Sequence, residues 1–133
     1  MRIEIATFLS AMLVSGLASA SCKNPVDHVE QRQCSEREAT RLSREVRAAQ
    51  NVVRDKIATW EQEASYKATS LSLFNNAATQ FKAYLARQCE FEASAAAGGN
   101  GTSDMRLECQ IALYGAYLKS LQEQAAWFES PHA

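Results

Sequence analysis

Residues 102–128 read TSDMRLECQIALYGAYLKSLQEQAAWF, and this stretch decides the fold class. Its apolar residues recur at alternating steps of four and three, which is the spacing of one face of an α-helix. The residues of this stripe are Leu107, Ile111, Tyr114, Leu118, Leu121, Ala125 and Phe128. Thr102 or Ser103 can cap the start of this helix, and Pro131 follows its end. No stretch of the chain alternates with a period of two, so we expect no strands.

Two earlier stretches have the same helical spacing. Ser35 and Glu38 match a capping box that starts the first helix. Its stripe is Leu42, Val46, Ala49, Val53, Ile57 and Trp60. The second stripe, which precedes the glycine-rich loop 98–101, is Leu71, Phe74, Ala78, Phe81 and Leu85. We therefore predict an all-α fold, a small antiparallel three-helix bundle with a short N-terminal helical segment that Asn24 and Pro25 start.

The composition limits the function classes. The chain has 133 residues, with 14 Lys or Arg and 15 Asp or Glu, for a net charge of −1. This balance makes a strongly basic nucleic-acid binder unexpected, and nucleic acid is not among the predicted partners. Beyond the N-terminal leader no stretch approaches the roughly 18 apolar residues of a membrane span.

The N-terminus predicts export. Residues 1–20 combine a short positive start, an apolar run and a final Ala-Ser-Ala, the small-x-small pattern of a signal-peptidase site. We expect cleavage after Ala20 and a bacterial periplasmic or secreted product, 21–133, that forms a single domain. A lipid anchor on Cys22 is disfavoured because Ser19 stands where lipoprotein signals have a Leu-like residue.

Four cysteines remain after cleavage: Cys22, Cys34, Cys89 and Cys109. An even number in a small exported domain favours two disulfides over a metal site or a reactive thiol, and no Cys-x-x-Cys pair is present. Helical rise places Cys89 and Cys109 at the same level, so we pair them, and Cys22–Cys34 follows by elimination. Residues 23–33 then cannot run straight into the first helix, and we expect the chain to fold back near Cys34.

Three stretches carry a family resemblance: DHVEQRQCSEREATRLSREVRAAQNVV (27–53), AATQFKAYLARQCEFEAS (77–94) and GNGTSDMRLECQIALYGAYLKSLQEQ (99–124). Together they resemble the N-terminal domain of the LprI-like lysozyme-inhibitor family, which consists of small exported helical proteins with paired cysteines. The positions that match the family pattern are Cys34, Phe81, Tyr84, Cys89, Gly98 to Gly101, Cys109, Leu113 and Leu121. The resemblance implies a helical fold and inhibition of lysozyme-type cell-wall hydrolases.

Three positions depart from the family pattern. Phe81 stands where members commonly have Trp, and Leu85 and Tyr117 stand where they commonly have Arg. The loss of both Arg residues removes charges that would form an ion-paired or partner-facing cluster.

The first helix carries a possible partner-binding strip of Arg37, Arg41 and Arg44. These side chains share one face of the helix and would form either an anion-binding strip or a solvated face. We favour the solvated face because Glu38 and Glu45 lie nearby, with Arg41 and Glu45 at the four-residue spacing of a helical ion pair.

Aromatic residues supply the other candidates. Trp127 would either cap the end of the bundle or anchor a partner. Tyr117 would either face a partner or pack against the Cys89–Cys109 pair, and we expect Trp60 to lie in the core. His28 has no accompanying nucleophile, so we predict no catalytic, cofactor-binding or metal-binding residues and no enzymatic activity.

The sequence therefore predicts an exported protein-binding domain that needs no cofactor. The leading hypothesis is inhibition of a lysozyme-type hydrolase, with the loop Ala97–Asp104 or the disulfide-bearing end blocking the sugar cleft. The alternatives are a periplasmic structural or adaptor module, which binds a partner helix or a second copy of itself, and an immunity protein against a toxin.

Overall fold

A computed structural model describes Cys22 and residues 24–129 of the chain. It contains the helices α1 (His28–Thr59), α2 (Ala64–Ser94) and α3 (Thr102–Trp127), and this part of the chain has no strand. The predicted all-α three-helix bundle is therefore confirmed. The signal peptide, its cleavage site after Ala20, and Pro131 lie outside the described residues. None of the three described helices has an apolar stretch that could cross a bilayer.

Helix α1 begins earlier than its predicted capping box. Asp27 is the N-cap, and its Oδ1 accepts a hydrogen bond of 2.8 Å from the backbone N–H of Glu30. The Glu30 carboxylate in turn accepts a hydrogen bond of 2.6 Å from the backbone N–H of Val26. These two bonds satisfy backbone donors at and just before the start of the helix, where no intrahelical partner exists. The helix therefore starts at His28.

From there α1 continues through Cys34 and Ser35 without a break. The predicted capping box at Ser35 and the predicted fold-back near Cys34 are wrong, because both residues lie within the unbroken helix. Ser35 is also buried. The chain turns back instead at residues 24–27, where Asn24 has a φ of 64°. The predicted N-terminal helical segment is thus part of α1, and its predicted start at Asn24 and Pro25 is wrong, because Asp27 caps the helix and His28 begins it.

Both predicted disulfides are present. Cys22 is bonded to Cys34 with a Cα–Cα distance of 5.8 Å, and Cys89 is bonded to Cys109 with a Cα–Cα distance of 5.4 Å. The first bond ties the N-terminal segment to α1, and the second joins α2 to α3 near their connecting loop. The pairing derived from helical rise is confirmed.

The core consists of two clusters. The first has Val46, Val53, Ile57 and Leu121 at its centre. The second is formed by Leu85, Cys89 and Cys109. Trp60 closes the far end of the bundle, where its ring packs edge-on against Phe128 with the centroids 5.2 Å apart. Full burial of one such aliphatic or aromatic side chain contributes about 1.5–3 kcal/mol, so these stripes hold the bundle together.

The three helices do not pack equally. Helix α3 packs against both of the others, whereas α1 and α2 contact each other least. In the loop between α2 and α3, Gly98 has a φ of 77°, a left-handed conformation that glycine adopts without strain. Gly101, rather than Thr102 or Ser103, occupies the N-cap position of α3, and no side chain caps it.

Candidate functional site

The arginine strip of α1 is partly neutralised within the chain. Arg41 donates hydrogen bonds to Glu38 and Glu45, which lie three and four residues away on the same helix. The hydrogen bond from Arg41 lowers the pKa of the Glu38 carboxyl. Arg37 and Arg44 are exposed. This arrangement favours the solvated face, because the central cation of the strip already has two carboxylate partners.

The two predicted aromatic candidates have different environments. Tyr117 is half-buried and its ring stacks on that of Phe81, with the centroids 3.8 Å apart. Two positions that depart from the family pattern therefore contact each other, while the third, Leu85, is buried. Trp127 lies at the end of α3 with 58% of its surface exposed. Only Trp127 thus offers a large exposed surface.

A second aromatic surface was not predicted from the sequence. We define the α2 outer face as Tyr66, Leu73, Tyr84 and Phe91, all of which are exposed. Their spacings of seven, eleven and seven residues place them within about 20° of one another around the helix. The helical spacing of these four residues is the sequence signal for this face, but the inward stripe of α2 has the same kind of spacing and masks it. Four large apolar side chains exposed on one side of a helix make this face a candidate contact for a partner.

Asp104 lies in the first turn of α3 and links this turn, just after the α2–α3 loop, to the start of α1. Its carboxylate accepts hydrogen bonds from Arg32 Nε at 3.0 Å and from His28 Nε2 at 2.7 Å. Arg32 also donates to the backbone oxygen of Asn100 at 3.4 Å. The hydrogen bond from Arg32 is the main cause of the lowered pKa of Asp104, and the bond from His28 adds to it. The predicted cleft-blocking loop, Ala97–Asp104, ends at Gly101, because Thr102 to Asp104 form the first turn of α3, and this turn is held by α1.

The α2 outer face extends to the end of α2 that precedes this loop. Phe91 lies in the last turn of α2, which ends at Ser94, and 71% of its surface is exposed. An apolar anchor and a fixed loop thus lie at the same end of the bundle. Cys89 and Cys109 join the two helices at this end.

No metal-binding cluster is found in the described part of the chain, where no three His, Cys, Asp or Glu side chains come together. Comparison of the chain with protein-family models, curated proteins and solved structures gives no match. The LprI-like resemblance therefore stays a prediction from the quoted residues.

Proposed function

We propose that this chain is an exported domain that binds another protein through the α2 outer face. The observation that carries the proposal is the exposure of large apolar side chains on one side of α2, with Leu73 66% exposed and Tyr84 52% exposed. Removal of such a side chain from water on binding contributes up to about 1.5–3 kcal/mol. Tyrosine is also enriched among the residues that dominate the energy of protein interfaces.

We further propose that the partner is a lysozyme-type cell-wall hydrolase. The family resemblance supports this partner, and the form of the disulfide-bearing end supports steric inhibition. Phe91 would anchor the domain beside the hydrolase cleft, and the loop Ala97–Asp104 would cover the cleft. Because Asp104 and the Cys89–Cys109 bond already hold this loop in place, binding costs little ordering entropy. The inhibitor itself performs no chemistry.

The test is the turnover of a lysozyme on cell-wall substrate, titrated with oxidised protein 21–133. We expect stoichiometric inhibition by the natural chain. The double variant Tyr84→Gln/Phe91→Gln should inhibit at least about tenfold more weakly, since tenfold corresponds to about 1.4 kcal/mol of lost anchoring. Glutamine keeps the helical propensity high, so the fold should be retained.

The matched control is Ala112→Gln/Ala116→Gln, which places the same two side chains on an exposed part of α3. This control should inhibit as the natural chain does. Unchanged turnover at a large molar excess of the natural chain would refute the hydrolase as partner. An equal loss of inhibition in both double variants would refute the α2 outer face as the contact.

A structural or adaptor module that pairs with a second copy of itself is the second candidate, because the α2 outer face is symmetric. In an antiparallel pair of α2 helices, Tyr66 would lie opposite Phe91 and Leu73 opposite Tyr84, about a two-fold axis between Ala78 and Thr79. A two-fold dimer uses the same patch on both copies in this way. Light scattering of the chain alone separates the candidates: a dimer that Tyr84→Gln/Phe91→Gln dissociates favours the module, and a monomer favours the inhibitor.

A further inference from the structure

The seam between α1 and α2 contains an open groove with a volume of about 460 Å³. Its apolar lining includes Phe81 of α2 and Tyr114 of α3. The cations Arg47, Arg54 and Lys82 also line it, and none of the lining residues is acidic. The groove therefore combines an apolar floor with positively charged walls.

Several cations elsewhere in the described chain are paired with carboxylates. These are Arg32, Arg41, Lys56 and Arg106, which pair with Asp104, with Glu38 and Glu45, with Glu129 and with Glu90, respectively. The groove cations have a different set of neighbours. Arg47 donates a hydrogen bond of 3.2 Å to Ser43 Oγ, a neutral acceptor. Its positive charge is not compensated by this bond.

All the observed contacts of Arg54 are likewise with neutral groups. It donates to Asn75 Oδ1 at 2.8 Å and to Asn51 Oδ1 at 2.9 Å, and its guanidinium lies 5.5 Å from the centre of the Phe74 ring. These contacts hold Arg54 across the seam and leave its charge in the groove. The groove is therefore a region of positive potential beside apolar surface.

The bond between Arg54 and Asn75 indicates which turns of the two antiparallel helices face each other. Arg47 lies seven residues before Arg54, and Lys82 lies seven residues after Asn75. Seven residues are two helical turns, so Arg47 and Lys82 lie at the same level, about 10 Å along the seam from Arg54. This end of the groove thus has one cation on each wall, next to the ring of Phe81.

We propose that this groove binds a small organic anion with an apolar body, such as a medium-chain carboxylate. The carboxylate would lie between Arg47 and Lys82, where two charge-assisted hydrogen bonds are available. The apolar body would lie on Phe81 and Tyr114. The volume is in the usual range of about 300–1,000 Å³ for small-molecule sites.

The experiment is an isothermal titration of oxidised protein 21–133 with decanoate below the concentration at which it forms micelles. We expect saturable binding of one decanoate per chain. Decyltrimethylammonium, which has the same chain and the opposite charge, should not bind. Inorganic phosphate should bind more weakly than decanoate, because it has no apolar body.

Variants locate the site. Arg47→Gln/Lys82→Gln should weaken decanoate binding at least about tenfold, because each charged hydrogen bond contributes strongly to binding. Arg37→Gln/Arg44→Gln removes two exposed cations from the same helix outside the groove and should leave the affinity unchanged. The net charge changes equally in both variants, so a general electrostatic effect would appear in both.

Three results would overturn the proposal: no saturable binding of decanoate, equal binding of decyltrimethylammonium, or an equal loss of affinity in both double variants. The groove shares no residue with the α2 outer face. Failure of the decanoate proposal would therefore leave the proposed protein-binding function unaffected. Failure of the protein-binding function would likewise leave the decanoate proposal unaffected.

Discussion

Asp104 links parts of the chain that lie far apart in the sequence. Its partners Arg32 and His28 are 72 and 76 residues away. The ion pair of Arg41 with Glu45 follows from a four-residue spacing on one helix and was predicted. The partners of Asp104 were not, because this contact depends on how α3 packs against α1 and not on a spacing along one helix.

The pKa of Asp104 makes a prediction about stability in acid. Its pKa is lower in the folded chain than the unfolded value of about 3.9, so its contribution to the free energy of unfolding is present above about pH 4 and is lost as the pH falls through the folded pKa. In Asp104→Asn this loss should be missing. The free energy of unfolding, measured in urea across this range, should therefore fall less steeply with acidification than in the natural chain.

Glu123→Gln is the control for this measurement, since Glu123 is an exposed carboxylate on the same helix. Its profile should parallel that of the natural chain. If the Asp104→Asn profile is just as steep, the contact with Arg32 and His28 has no energetic importance.

The helices were predicted more accurately than their ends. The capping pattern occurs twice near the start of α1, at Asp27 with Glu30 and at Ser35 with Glu38, and only the first pair caps the helix. Extending α1 from Ser35 toward the N-terminus, as far as His28, adds one backbone hydrogen bond per residue, whereas starting a new helix at Ser35 would require a second nucleation. The disulfide pairing was predictable because it depends only on the regular rise of two helices.

The two disulfides should differ in their effect on stability. Cys89→Ser/Cys109→Ser opens a link across 20 residues and replaces two buried sulfur atoms of the second core cluster with polar hydroxyl groups. We expect a loss of about 3 kcal/mol from chain entropy, with a further loss from packing. Cys22→Ser/Cys34→Ser opens a link across 12 residues at half-buried positions, so only the entropic loss is expected.

Urea denaturation of both double variants measures this difference. A larger loss of unfolding free energy in Cys22→Ser/Cys34→Ser than in Cys89→Ser/Cys109→Ser would show that the second core cluster contributes little to the stability of the bundle.

At the scale of the whole molecule, the sequence predicted which stripes face inward but not which surface remains uncovered. Helix α2 has apolar residues on two sides, and three helices cover only one of them. Leu85 lies on the covered side and Leu73 on the open side, although both are leucines of the same helix. The groove was also not predicted, because it depends on the loose packing of α1 against α2.

We propose that the α2 outer face binds a lysozyme-type hydrolase. The most direct measurement is the mass, by light scattering after gel filtration, of an equimolar mixture of oxidised 21–133 and lysozyme. We predict a single species with the summed mass of one chain and one lysozyme, which Tyr84→Gln/Phe91→Gln abolishes and Ala112→Gln/Ala116→Gln retains. Two separate species at the masses of the free proteins would contradict the claim.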